Sequence, residues 1–204
     1  IQYRESSDML TVACVLKSGG IYTPKHVERL RDQVHANLKA LHRFVCLTDI
    51  QHKICENIPL RHNWPGWWSK IELFTPGLFH GRVGYFDLDT LIQDDITPLI
   101  TCAAPFVICR DWLPIKGHGK SKYNSSIMAW NADVADHIYS NFTPDLMTQY
   151  HGDQDYIAEM MPKAAVFPIG TISSWKASGG RIPKNCRVCV FTGHPKPWDL
   201  PHAI

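Results

Sequence analysis

A strand, a helix and a second strand follow one another at the start of this chain, and that order leaves few folds open. Leu10-Thr-Val-Ala-Cys-Val-Leu16 is apolar and rich in β-branched residues, the pattern of a strand buried on both faces. Lys17-Ser-Gly-Gly20 breaks it. Thr23 can cap a helix whose first position is Pro24, where a missing N–H costs nothing. Val27, Leu30, Val34, Leu38 and Leu41 recur at helical spacing and predict a helix to about residue 42. Phe44-Val-Cys-Leu-Thr48 is a second strand, with Asp49 just beyond its end. Two strands joined this way imply a right-handed parallel crossover.

A third strand is predicted over Val83–Asp89, where the apolar run Val83-Gly-Tyr-Phe86 ends in Asp87-Leu88-Asp89. On a strand, residues i and i+2 share a face, so both carboxylates point one way and Leu88 points into the core. Two adjacent carboxylates repel unless a cation lies between them. Hard oxygen ligands suit Mg²⁺ or Mn²⁺, which keep positions open for substrate phosphates. In open α/β sheets ligands bind outside the carboxyl ends of strands, which is where this pair falls. The tripeptide is common, and its plain alternative is a strand-end turn with solvated acids.

The remaining elements alternate. Ser69 to Leu78 predicts a helix after the loop ending Trp64-Pro-Gly-Trp-Trp68. Ala104–Cys109 is a strand ending at Arg110-Asp111-Trp112, and Lys116 to Lys122 is a basic loop. Then follow Ser126–Trp130 (strand), Ala132–Asn141 (helix), Asp153–Met161 (helix), Ala165–Phe167 (strand) and Arg187–Phe191 (strand). At 204 residues the chain is one domain over 1–204, and without an initial Met it is open to being a piece of a longer protein. A formal charge of +2 gives no warrant for nucleic-acid binding, and no apolar stretch approaches the roughly 18 residues of a membrane span. Four of the seven Cys (Cys14, Cys46, Cys102, Cys109) lie in or beside strand-like runs, as reduced core thiols of a cytoplasmic protein would. Cys186-x-x-Cys189 has no second pair or His pair to make a zinc ribbon.

Taken together, five segments resemble one family. Trp68-Ser-Lys-Ile-Glu-Leu-Phe74, Tyr85-Phe-Asp-Leu-Asp89, Tyr123-Asn-Ser-Ser126, Gly152-Asp-Gln-Asp155 and Gly193-His-Pro-Lys-Pro-Trp198 occur in the order found in GT-A fold glycosyltransferases. The likeness is to the family 8 type, which includes glycogenin and bacterial lipopolysaccharide galactosyltransferases, and it runs from Thr11 to Trp198. It implies an α/β chain with a Rossmann-like mixed sheet flanked by helices, the nucleotide-diphospho-sugar transferase fold. It implies a metal-dependent hexosyltransferase that uses a UDP-sugar and retains configuration at the anomeric carbon.

The resemblance also assigns roles. Asp87 and Asp89 would hold Mn²⁺ or Mg²⁺ bridging the donor phosphates, and Lys196 would add positive charge at the diphosphate, which Gly193 lets backbone approach. Lys70 and Asn124 would contact the donor. Gln154 would sit near the anomeric carbon, Asp153 would grip the transferred sugar, and Asp111 is a candidate for acceptor or donor-sugar contacts. For the base, Tyr22 could stack on it, Ala13 and Val15 backbone groups could read its edge, and Asp49 is a further contact. Gln154 stands where a carboxylate nucleophile would be sought, which favours front-face attack.

One position departs from the pattern. The family's metal-binding His, three residues before this Gly, is Val190 here, leaving His194 or donor and water oxygens as further ligands. A sugar-1-phosphate nucleotidyltransferase and a non-catalytic nucleotide-sugar-binding module remain as alternatives. The acceptor, whether glycan, lipid-linked or protein, is expected to be chosen by the loops Asn57–Pro65 and Lys116–Lys122.

Overall fold

The computed structural model describes residues 9–112 and 122–200. Lys116–Lys122, apart from Lys122 itself, lies outside the described residues. The opening is as the apolar pattern predicts: β1 (Leu10–Leu16), α1 (Pro24–Asn37) and β2 (His42–Thr48), with β1 and β2 parallel in register from Leu10↔His42 to Leu16↔Thr48. The helix ends earlier than expected. Leu38 is already extended, and Leu41 is 85% exposed, so its place in the periodicity is coincidental.

β3 (Glu56–Pro59) pairs with β2, which makes a strand of part of the expected Asn57–Pro65 loop. The helix predicted over Ser69–Leu78 is instead a 3₁₀ helix over Gly66–Phe74. Thr75 N donates back to Glu72 O, and Pro76 then holds Thr75 in an extended conformation, which ends the helix. β4 (Arg82–Phe86) is followed by β5 (Thr90–Ile92), α2 (Thr97–Ile100), β6 (Phe106–Arg110) and β7 (Tyr123–Asn131). Gly84 on β4 is required by α2: a Cβ there would lie 2.8 Å from Ile100 Cγ2. The chain ends through α3 (Asp136–Ser140), a short 3₁₀ turn, α4 (Asp153–Met160), β8 (Ala165–Val166), β9 (Ile172–Ser174), β10 (Val188–Val190) and a 3₁₀ turn at Pro197–Asp199.

Seven strands form one mixed sheet in the order β3-β2-β1-β4-β7-β6-β8. A second sheet, β5-β10-β9, was not expected, because its strands are only three residues each. In the large sheet β1, β2, β3 and β4 are parallel, and β7 runs against both β4 and β6. Alternate residues feed two cores. Val12, Cys14 and Leu16 pack on the side of α1, and Ala13 packs with the 3₁₀ helix, α3 and α4 on the other.

This order creates a switch point. From β1 the chain winds outward to β3 and then returns to place β4 on the other side of β1. Connections therefore leave the carboxyl ends of β1 and β4 in opposite directions, opening a crevice between them. Asp87 is the first residue beyond β4.

Candidate active site

Asp87 and Asp89 lie in a turn, not on the strand. β4 ends at Phe86, and Asp87 O accepts from Thr90 N (3.2 Å) and Thr90 Oγ1 (2.8 Å), closing the turn. Leu88 is buried as expected. The carboxylates are thus held by the turn and by side chains from elsewhere, rather than by strand alternation.

Lys70, from the 3₁₀ helix, is the hub. Its ammonium lies 3.1 Å from Asp87 Oδ1, 3.2 Å from Asp153 Oδ2 and 3.1 Å from Ser125 Oγ. Three donors meet three acceptors. Ser125 Oγ in turn donates to Asp153 Oδ2 at 2.6 Å. Burial alone would lower the Lys70 pKa, but Asp153 and Asp87 outweigh it and the pKa rises, so the group stays charged. Lys70 therefore couples the acidic turn to the first turn of α4.

Lys196 does the same for the second acid. Its Nζ donates to Asp89 Oδ2 at 2.5 Å, and Tyr22 OH donates to the same oxygen at 2.8 Å. Tyr85 OH donates to Asp87 Oδ1. Burial first, then the acids, push both phenols up in pKa, so they remain donors. Burial and the neighbouring Asp87 charge raise the Asp89 pKa, and Lys196 and Tyr22 oppose this. The cluster is a pair of crowded carboxylates only partly compensated.

One oxygen of each acid, Asp87 Oδ2 and Asp89 Oδ1, has no partner among the described residues. That donor set fits a divalent ion held by two carboxylates, with other positions left for water and phosphate. His194 does not join it. Its side chain is 78% exposed and its Nδ1 faces Asp199 at 3.7 Å. Among the described residues no three acidic, His or Cys side chains come together as a metal-binding group. Val190 is fully buried in β10 within the apolar core. A Val190→His variant is expected to lose about 2–4 kcal/mol of stability in urea unfolding, from an unpartnered, oversized side chain, and to gain no Mn²⁺ affinity.

Beside α4, a β-bulge on the β6–β7 pair shifts the register between Ile108↔Met128 and Cys109↔Asn124. The extra residues on β7 hold Asn124 and Ser125 at the sheet edge beside α4. Asn124 Nδ2 lies 3.5 Å from Gln154 Oε1, and Asn124 Oδ1 accepts from Ser126 N at 3.0 Å. Asp153 and Gln154 occupy the first turn of α4, after the cap residue Gly152. Gly193 has φ +73°, so the loop leading to Lys196 needs glycine there.

Other expectations fare differently. Ala13 is enclosed, paired with Val45 on one side and Tyr85 on the other; pairing with β4 stops there, and the open backbone edge begins near Val15. Asp49 ties the ends of β1 and β2 together, accepting from Ser18 N (2.8 Å), Ser18 Oγ (2.6 Å) and Lys17. Burial pushes Asp49 up, and the bonds from Lys17 and Ser18 overcome this to hold its pKa at about 2. Tyr22 donates to Asp89 Oδ2 and lies edge-on to Trp198. Asp111 follows β6, which ends at the same sheet edge, and is not an ion-pair partner of Lys70. Tyr85 and Ser125 lie inside two of the motifs with no role legible from sequence; the structure shows them donating to Asp87 and Asp153.

No family model matches the chain, and no curated protein matches it by sequence. Solved structures do. The galactosyltransferase LgtC, in complex with donor and acceptor sugar analogs, superposes with a TM-score of 0.68 at 14% identity, covering 92% of this chain and 89% of LgtC. An active-site mutant of LgtC, in which glutamate replaces a glutamine, gives 0.67 at 14% identity over 95% and 92%. The glycosyltransferase GlyE of Streptococcus pneumoniae gives 0.68 at 14% identity, over 94% of this chain and 56% of GlyE. The chain has the fold of these glycosyltransferases, the GT-A type expected from its motifs.

Proposed function

We propose that this chain transfers a sugar from a UDP-sugar to a hydroxyl acceptor, with retention, using Mn²⁺ or Mg²⁺ held by Asp87 and Asp89. The observation that carries the reading is the acidic turn at the β1/β4 switch point, bridged by Lys70 to Asp153 and by Lys196 to its own loop. When bound, the ion neutralises charge building on the departing diphosphate. Lys196 adds charge at the same place, where it counts more in the transition state than in the ground state. Lys70 fixes Asp87 and Asp153 relative to one another, so the diphosphate and the transferred sugar are held in one frame. LgtC and GlyE are glycosyltransferases of this fold, which supports transfer over the nucleotidyltransferase alternative.

Asn124 and Gln154 face the sugar in this reading. The LgtC mutant shows that protein's active site to include a glutamine, which supports the same role for Gln154. An amide is a poor nucleophile, so attack proceeds on the donor's own face, with the leaving diphosphate oxygen accepting the acceptor's proton. Trapping with a slow donor should leave no sugar on the protein by mass spectrometry, and an adduct would contradict this. Gln154→Ala is expected to lower kcat by about 10- to 100-fold through lost positioning. The acceptor is a glycan, a lipid-linked sugar or a protein. All seven cysteines are unpaired thiols, which supports a cytoplasmic setting. No helix among the described residues is long and apolar enough to cross a membrane.

Incubation with UDP-sugars and Mn²⁺ tests the reading. UDP release, with the sugar's configuration preserved by NMR, is the expected result. Consumption of pyrophosphate would point to the nucleotidyltransferase, and binding without turnover to a binding module.

A further inference from the structure

Arg29 is a charged side chain beside this site that the proposed reaction leaves unused. It lies on α1, which packs against β5, the strand that follows the acidic turn. Its Nη1 and Nη2 are both buried and have no hydrogen-bond partner. Its guanidinium sits 5.7 Å above the Trp198 ring, and Trp198 packs against His26 (4.2 Å) and Tyr22 (6.1 Å). Asp89 is the acid whose charge reaches it, yet the two form no ion pair within 4.0 Å. Buried guanidinium N–H groups without a partner are costly unless an anion is brought to them.

Two further facts bear on that anion. Thr192, in the loop between Val190 and Lys196, also has a buried hydroxyl with no partner. And Trp198, the ring over Arg29, follows Lys196 by two residues, so the segment that holds Lys196 on Asp89 is also the one that covers Arg29. As the structure stands, Lys70 pairs with Asp87 and Asp153 and Lys196 with Asp89, while Arg29 pairs with none of the three.

We infer that Arg29 is a diphosphate-binding residue whose partner arrives with the donor. When Lys196 turns to the phosphates, Trp198 moves aside and the Arg29 fork meets a phosphate oxygen, a geometry that Arg matches and Lys does not. This rests on the nucleotide-sugar reading above.

Titration calorimetry of UDP and of inorganic pyrophosphate, each with Mn²⁺, onto wild type, Arg29→Met and Arg29→Lys tests it. Arg29→Met should weaken both ligands by about 10- to 100-fold, and Arg29→Lys should recover part of the loss. Without ligand, Arg29→Met should melt at or above the wild-type temperature, because Met removes a buried unpaired charge while keeping apolar contact with Trp198. Unchanged affinity in Arg29→Met, or a fall in its ligand-free melting temperature matching the loss of binding, would overturn the assignment. Wild type that binds neither UDP nor pyrophosphate would overturn the donor reading and this inference together.

Discussion

Replacing Lys70 by methionine is expected to lower the melting temperature by about 6–20 °C and to reduce transfer by more than about 100-fold. The stability loss comes from what stays behind. Asp87 and Asp153 are 22% and 7% exposed, and without Lys70 both lose their only ion-pair partner among the described residues. Leaving a buried partner uncompensated costs about 3–5 kcal/mol. The activity loss has a separate source. Among the described residues Lys70 is the side chain that ion-pairs with both the acidic turn and α4, so on the proposed reading its removal lets the diphosphate end and the sugar end drift apart. Lys70→Arg keeps the charge, and partial recovery of melting temperature with poor recovery of kcat would separate the two effects. Melting within 2 °C of wild type would show that the three contacts of the ammonium carry little.

Asp89→Asn should cost on the order of 1,000-fold in kcat/KM while leaving the protein folded. The amide oxygen still accepts from Lys196 and Tyr22, which together hold Asp89 Oδ2. What goes is the negative charge that pairs with a divalent ion. Donor binding should therefore lose its dependence on Mn²⁺, and the remaining affinity should come from Lys196, freed from its carboxylate. Calorimetry of UDP onto the variant, with Mn²⁺ and with EDTA, checks this. A full Mn²⁺ dependence in Asp89→Asn would remove Asp89 from the site.

The sequence made some of this visible and hid the rest for physical reasons. β1, α1 and β2 were legible because a buried strand and an amphipathic helix leave dense apolar periodicity. Asp87 and Asp89 were placed correctly at the end of β4 but wrongly on the strand, since the turn depends on Thr90, whose bond to Asp87 O has no hydropathy signature. Consecutive burial from Trp68 to Phe74 looks the same for an α-helix and a 3₁₀ helix, so only the i→i+3 bonds decide. The Lys196–Asp89 contact spans 107 residues and could be reached only through a motif resemblance. Arg29 had no signal at all, because an arginine on a polar helix face is indistinguishable from a solvated one until Trp198 is seen over it.

Thermal melting with UDP, in Mn²⁺ and in EDTA, bears most directly on the claim that the Asp87–Asp89 turn holds a nucleotide diphosphate through a divalent ion. At UDP near 100 times its Kd, the midpoint should rise by about 5–10 °C with Mn²⁺ and by little in EDTA. An equal rise in both, or none in either, would contradict it.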